Sequence, residues 1–429
     1  MAIKIGLVGT GTVGAGCLDI LAAHKEDFKR HYGVDIEVAG VCSLEPEVAN
    51  EYGYADVFTP DFNDIITNPE IDIVIELIGG TTFAKTVIEG AIANGKHVVT
   101  ANKALVATKE GADLINEASA KGLEFLFEAS VGGGIPIINP LKHCLTANEI
   151  SSILGIVNGT TNYMLTRMDE EGLSYDEALA QAQALGFAEA NPTADVDGFD
   201  AAAKIAILAS IAFNSNVTID QVYTEGIRRI SPVDMQQARD MGYEVKLVAH
   251  ASNTEDGVSV RVHPTMIPSK HQLATVRGVF NAIYVVGDAV GEAMFFGEGA
   301  GSGPAASSVM GDVLEIARHI TFGIKPLKNT ADKDELKLVA MEDLKTKYYL
   351  RFVVEDRSGV LSEVTTVFAK YGISIKSIVQ HGKTDRSEVD LVVVTHTALE
   401  ANMRKAIEDI LALQNVVTGG YPSVIRVEE

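Results

Sequence analysis

Cysteine is scarce in this 429-residue chain, with three in all. Cys17, Cys42 and Cys144 stand far apart, in neither a disulfide framework nor a metal-ligand spacing. They read as reduced core residues of a cytoplasmic protein. No uninterrupted apolar run of about 18 residues occurs, so no transmembrane helix is expected. No charged leader with an apolar stretch precedes the first strand, and no signal peptide is expected either. Positive charge is in deficit: 35 Lys and Arg stand against 58 Asp and Glu, a net charge of −23. A surface of that sign repels nucleic acid and anionic membranes, and neither is expected as a partner. Hydrophobic (47%) and charged (22%) content are those of a globular chain, and the length allows two or three domains. No internal repeat or low-complexity tract is present.

What is there begins with a short apolar run, Ile3-Lys-Ile-Gly-Leu-Val8, then Gly9-Thr10-Gly11-Thr12-Val13-Gly14, then an amphipathic stretch to about Lys25. Strand, glycine-rich turn and helix in that order let backbone amides and a helix N-terminus face a pyrophosphate. Further strands at Ile36–Cys42, Ile71–Ile78, His97–Ala101 and Glu124–Ala129 alternate with helical patterns, which implies an α/β, Rossmann-type doubly wound parallel sheet. The second strand ends Val41-Cys-Ser-Leu-Glu45, with the acidic residue late and no Arg close by. The choice between NAD and NADP therefore stays open. From about residue 135 the pattern changes: strands at Ile150–Val157, Val258–His263 and Ala282–Val286 would build an α+β domain holding a substrate. Gly297-Glu-Gly-Ala-Gly301-Ser-Gly303 with Pro304, the latter suited to a helix N1 position, leads a helix back to the first domain. Gly301 and Gly303 read either as a second cofactor contact or as a plain connection.

The densest chemistry lies in Ala184-Leu-Gly-Phe-Ala-Glu189-Ala-Asn-Pro-Thr-Ala-Asp195-Val-Asp197-Gly-Phe-Asp200-Ala-Ala-Ala-Lys204. Asp200 and Lys204, four apart, share one face of a helix. The helix beyond Lys204 is almost wholly apolar, so this pair lines an interior cleft rather than water. Asp197 reads as a structural turn residue capping the helix. An EF-hand reading of Asp195-x-Asp197 fails, because the sixth position is Asp200 instead of Gly and the twelfth Ala206 instead of Glu.

This run, from Gly186 through Asn191-Pro192, Asp195, Gly198 and Asp200 to Lys204, resembles the signature of homoserine dehydrogenases, and the resemblance extends over roughly residues 1–325. It implies reversible NAD(P)-dependent reduction of L-aspartate 4-semialdehyde to L-homoserine, in the biosynthesis of threonine, methionine and isoleucine. It also implies Lys204 as acid–base residue, Asp200 as its partner, and Glu189 and Asp195 at the substrate, Glu189 through the α-ammonium. Thr100-Ala-Asn-Lys103 resembles the family's second lysine motif, which places Lys103 beside the nicotinamide. Asn158-Gly-Thr160-Thr-Asn162 is similar to a turn that brings Thr160 near substrate or nicotinamide. Glu128-Ala-Ser-Val131-Gly-Gly133-Gly-Ile135 resembles the family's sodium-binding loop, with the carbonyls of Val131, Gly133 and Ile135 and the carboxylate of Glu128 as ligands. A hard cation suits such oxygen donors, although a glycine run serves equally as a hinge.

Beyond a polar section (Lys325 to Lys347), strand, helix, strand, strand, helix and strand follow in ferredoxin-like order. The Asp356-Arg-Ser-Gly359 turn resembles that of ACT domains, which bind amino acids at paired-domain interfaces. The expected division is therefore 1–134 for the dinucleotide with a completing helix near 304–322, 135–303 for substrate and dimerisation, 323–346 as linker and 347–429 as regulatory ACT domain. Feedback by L-threonine and a homodimer or homotetramer are implied by the resemblance, as is a monofunctional enzyme lacking a fused kinase. The rival readings are a 2-hydroxy-acid dehydrogenase, an acyl-enzyme-forming aldehyde dehydrogenase and a nucleotide-binding sensor. The first needs a His and an Arg that the Lys204 segment lacks, and the second a nucleophilic Cys, where Cys144 looks like core. The third does not need the Asp200/Lys204 pair.

Overall fold

The computed structural model describes residues 2–326, 337–382 and 387–428. The chain forms two compact units, one of residues 1–153, 203–222 and 281–336, the other of 154–202, 223–280 and 337–429.

In the first unit, β1 (Ile3–Val8) has five of its six residues buried, as a strand covered on both faces must. It pairs in parallel with β2 (Ile36–Cys42) and β4 (Ile73–Glu76). With β3 (Phe58–Thr59), β5 (His97–Thr100) and β6 (Phe125–Leu126) the order is β3-β2-β1-β4-β5-β6, all parallel. This is the doubly wound sheet expected, and ligands of such sheets lie outside the carboxyl ends of the strands. The stretch read as a strand over 124–129 is extended only at Phe125–Leu126 and turns into a 3-10 helix at Glu128–Ser130. The helix Ser302–Phe322 returns to this sheet and buries Met310, Val313, Ile316 and Ala317 with Leu7, Leu18 and Ile36 in one core. Pro304 is the third residue of that helix rather than the first; it still falls in the first turn, where a missing N–H costs no intrahelical bond. Cys17 and Cys42 are buried as expected, but Cys144 is exposed. It ends a five-residue π-helical turn, Pro140–Cys144, whose wider winding displaces the face an α-helical reading assigns to the core.

The later strands are β7 (Ile150–Ile156), β8 (Tyr223–Thr224), β9 (Tyr243–Thr254), β10 (Gly257–Pro268), β11 (Phe280–Gly287) and β12 (Gly291–Glu298), followed by β13 (Lys345–Glu355), β14 (Ile375–Gly382), β15 (Glu388–Thr395), β16 (Ala398–Leu399) and β17 (Ser423–Val427). In the second unit β9 and β10 form a long antiparallel hairpin, and β17 pairs in parallel with β10 and antiparallel with β13. The order β17-β13-β15-β14 is that of the ferredoxin-like module, with helices Val360–Lys370 and Glu400–Leu411 closing its core around Phe352, Phe368 and Ile407. Part of the polar section read as a linker lies outside the described residues.

The hairpin buries His250 and His263, each held well below the ordinary histidine range, by burial first and by Arg261 beside His250 and Arg426 near His263. Both stay neutral in the fold, whereas the unfolded chain protonates them below about pH 6.5. The unfolded state then binds more protons, so stability present above that pH is lost as the pH falls, at up to about 1.4 kcal/mol per histidine per pH unit. Urea midpoints compared near pH 7.5 and 5.5 should show this loss; a flat profile contradicts it.

Candidate active site

The first unit supplies a coenzyme crevice. Gly9 follows β1 with φ +104°, and a Cβ there would lie 2.8 Å from the Leu77 carbonyl, so only glycine lets the turn approach the end of β4. At Gly14 a Cβ would sit 2.2 Å from the Gly9 carbonyl oxygen. Gly14→Ala must therefore open the Gly9–Gly14 turn. The expected result is a rise of about tenfold or more in the KM for the coenzyme, the scale of a ~1.4 kcal/mol loss, with secondary structure kept; steady-state kinetics and circular dichroism check it. Ser302 Oγ donates to the Thr12 carbonyl at 2.7 Å, which brings the start of the returning helix, with Gly301 and Gly303, to the same turn.

Across the crevice, Glu76 is fully buried at the end of β4. Its carboxylate accepts the amides of Ile78 (2.7 Å) and Gly79 (3.0 Å) and the Thr100 hydroxyl at 2.7 Å. Thr100 Oγ1 in turn accepts the Asn102 amide, and Asn102 caps the short helix Lys103–Val106 while donating to the Gly80 carbonyl at 2.7 Å. Lys103 thus opens a helix at the carboxyl end of β5, on a rigid polar frame. Glu76 does not stand out in the sequence, and Asn102 lies inside the Thr100–Lys103 motif with no role read for it. An acidic residue closing an otherwise apolar strand was the available signal for Glu76.

In the second unit two of the expected carboxylates, Asp195 and Asp200, converge on one amide. Asn158 caps the helix Gly159–Glu171, its Oδ1 accepting from the Thr161 amide at 2.8 Å and the Thr161 hydroxyl at 2.9 Å. Its Nδ2 is thereby turned to Asp195 Oδ1 (2.7 Å) and Asp200 Oδ2 (2.9 Å). Thr160 Oγ1 donates to the Phe187 carbonyl at 2.6 Å, which pins the 184–188 loop to the same helix. Glu189 is exposed, and its carbonyl accepts Gln183 Nε2 at 3.0 Å. Asp197 takes Arg228 on both carboxylate oxygens, an ion pair rather than the expected cap. Gly198, at φ +87°, then starts the helix Phe199–Ala212. Residues 201–209 of that helix are all buried, and Lys204, 7% exposed, is the one ionisable side chain among them.

The Glu128–Ile135 loop is buried apart from Gly134 and the intermediate Ala129. Glu128 Oε1 accepts the Ile137 and Ile138 amides and Oε2 the Asn139 amide, at 2.5, 2.8 and 2.6 Å. Burial pushes this carboxyl up and the three amides pull it down. Both its oxygens are engaged by main chain, and the Gly133 carbonyl accepts Ser308 Oγ at 2.7 Å. The donor set fits a cation only if these bonds are shared with it.

Comparisons with known proteins agree along the whole chain. Residues 9–128 match the family model "Homoserine dehydrogenase, NAD binding domain", residues 136–314 "Homoserine dehydrogenase", and residues 348–412 "ACT domain". A homoserine dehydrogenase of Synechocystis is 45% identical over 437 residues, covering 100% of both chains. One from Pseudomonas aeruginosa is 42% identical, covering 100% of this chain and 99% of its own. The crystal structure of a homoserine dehydrogenase from Thiobacillus denitrificans superposes with TM-score 0.93 at 42% identity, covering 100% of this chain and 99% of that one. A hyperthermophilic archaeal homoserine dehydrogenase in complex with NADPH matches 76% of this chain at 27% identity, with TM-score 0.63. Among the described residues no helix is long and apolar enough to cross a membrane. The chain belongs to the homoserine dehydrogenase family, NAD(P)-dependent oxidoreductases acting on a CH–OH group, and carries an ACT domain.

Proposed function

We propose that the chain interconverts L-aspartate 4-semialdehyde and L-homoserine, with Lys204 carrying the proton. The observation that supports this best is the Asn158 amide gathering Asp195 and Asp200 at the start of the helix that buries Lys204 one turn later. When bound, the nicotinamide supplies or takes the hydride at the carbon bearing the oxygen. In the reducing direction that carbon gains a hydride and its oxygen gains a proton from the Lys204 ammonium; in the oxidising direction neutral Lys204 takes the hydroxyl proton. Asp200 orients the ammonium. Asp195 and Glu189 complement the α-ammonium of the amino-acid substrate, Thr160 holds the wall of its site, and Lys103 adds a second cation for the polar end of substrate or coenzyme. Thr100 and the Gly9–Gly14 and Gly301–Gly303 segments hold NAD or NADP. A sodium ion on the carbonyls of Val131, Gly133 and Ile135 would share Glu128 with three amides, and no proton or hydride step passes through it.

The division into coenzyme, substrate and regulatory parts at 1–134, 135–303 and 347–429 belongs to the same reading, as do a cytoplasmic setting, a homo-oligomer and feedback by L-threonine through the ACT domain. The test is NAD(P)H formation from L-homoserine followed by absorbance. Turnover with either coenzyme supports the reading, and none with both overturns it. A rate unchanged by millimolar threonine removes the regulatory part alone.

A further inference from the structure

We propose that Glu124, Glu315 and His319 form a binding site for a first-row divalent cation, of the class of Zn2+, in the first unit and apart from the residues assigned to catalysis. Glu315 and His319 are four residues apart on the helix Ser302–Phe322, so both project from one face of its last turns. Glu124 comes from the chain just before β6. One ligand atom from each of the three lies within 4.8 Å of the others, and among the described residues this is the one such group. His319 Nδ1 is 2.8 Å from Glu124 Oε1, and His143 Nε2 is 3.4 Å from Glu315 Oε1, which places a second imidazole at the edge of the group. Donors bonded at about 2.0–2.2 Å to a tetrahedral ion sit roughly 3–3.5 Å apart, so the group needs little rearrangement to close on one.

A second observation points to a ligand. Glu124 is 7% exposed, yet its Oε2 has no hydrogen-bond partner. His97 Nδ1 lies 4.0 Å from that oxygen but already accepts the Glu124 amide at 3.0 Å, so it has no proton to give. A buried carboxylate oxygen left unpaired is costly. Charge counting points the same way. Glu124, Glu128, Asp312 and Glu315 gather around one ammonium, that of Lys142, which lies 4.5 Å from the centre of the Phe127 ring. Glu128 is answered by three amides, and Asp312 accepts the Glu128 amide at 2.8 Å. Asn139 Nδ2 donates to Glu315 Oε2 at 2.6 Å, as an outer partner that fixes a ligand's orientation does. Glu124 and Glu315 are left with imidazoles, those of His319 and His143, as their nearest basic groups. A cavity of about 450 Å³ bordered by Glu124, His143, Glu315 and His319 gives an ion its way in. Two carboxylates with one or two imidazoles select a borderline cation over Mg2+, which keeps its water and prefers oxygen alone. The ion would join the end of the returning helix to the edge of the parallel sheet.

The experiment uses the full chain stripped with chelator, then titrated with Zn2+ by calorimetry, with Mg2+ in parallel. One Zn2+ per chain, a melting temperature raised by a few degrees, and no response to Mg2+ are expected. Glu315→Gln and His319→Ala should each weaken Zn2+ binding by at least about tenfold while leaving homoserine turnover unchanged. Co2+ gives a readout independent of stability: its visible absorption should appear in the wild type and vanish in Glu315→Gln. Absence of one-to-one binding in the folded wild type overturns the proposal and leaves Glu124 and His319 as an ion pair. Binding that both folded variants retain overturns it too.

Discussion

Replacing Lys204 by alanine is expected to lower turnover of L-homoserine by at least about a hundredfold, the scale of a lost general acid–base group, with coenzyme binding nearly unchanged. The reason is local. From Asp200 to Ala212 the helix offers no ionisable side chain besides Asp200 and Lys204, so no neighbour on that helix can relay the proton. Alanine also fits the surrounding run of buried Ala201, Ala202 and Ala203, so the fold should survive the change. Lys204→Arg separates the two functions of an ammonium. A guanidinium keeps the positive charge but does not release its proton at any working pH. Loss in both variants assigns proton transfer to Lys204; recovery in the arginine variant reduces its part to charge stabilisation. Stopped-flow measurement of NAD(P)H formation, with circular dichroism as the folding control, decides between them. Turnover that survives in both variants moves the proton carrier elsewhere, with Lys103 the next residue to replace.

What was legible in the sequence is what short range encodes. The Gly9–Gly14 turn sits between an apolar strand and a helix, and two of its three glycines, Gly9 and Gly14, are required by close contacts with the end of β4 and within the turn itself. The Phe199–Ala212 helix announces itself by its apolar run, and with it the placement of Asp200 and Lys204. Long-range polar pairing was not legible. Asn158 stood in a turn that was read, yet its hold on Asp195 and Asp200 spans 37 and 42 residues. Strand β9 escaped because Lys246 and His250 look like surface residues. Both are buried, Lys246 because its ammonium donates to the Val276 carbonyl at 2.5 Å. Cys144 was misplaced because periodicity was read at the α-helical pitch over a π-helical turn.

Asp234→Ala should destabilise the second unit by about 3–5 kcal/mol, as breaking a buried ion pair from one side does. Asp234 is fully buried at the third position of the helix Pro232–Asp240, where it completes a capping box with Ser231. Its Oδ2 accepts the Ser231 amide (2.9 Å), the Ser231 hydroxyl (2.8 Å) and Arg351 Nη2 (3.2 Å). Its Oδ1 accepts Arg351 Nε at 2.7 Å and the Tyr349 hydroxyl at 3.0 Å. Both Tyr349 and Arg351 lie on β13, the first strand of the ACT module, so one carboxylate fastens that module to the helix Pro232–Asp240. Burial and Asp234 push the Tyr349 hydroxyl far up, and hydrogen bonding to Asp234 holds the Arg351 guanidinium in its charged form. Alanine leaves a guanidinium and a phenol in the interior without their main acceptor, and it removes the half of the capping box in which residue 234 accepts the Ser231 amide, while the Ser231 cap itself stays. Arg351 keeps Asp390 at 3.1 Å, which is partly open to water and compensates little. For the same reason Asp390→Asn should cost only about 1 kcal/mol. Hydrogen exchange gives the sharper reading: amides of β13 and of the Pro232–Asp240 helix should lose protection together in Asp234→Ala, while the sheet β3-β2-β1-β4-β5-β6 keeps its own. Protection lost in β13 alone would mean that the carboxylate serves the ACT module and not its attachment.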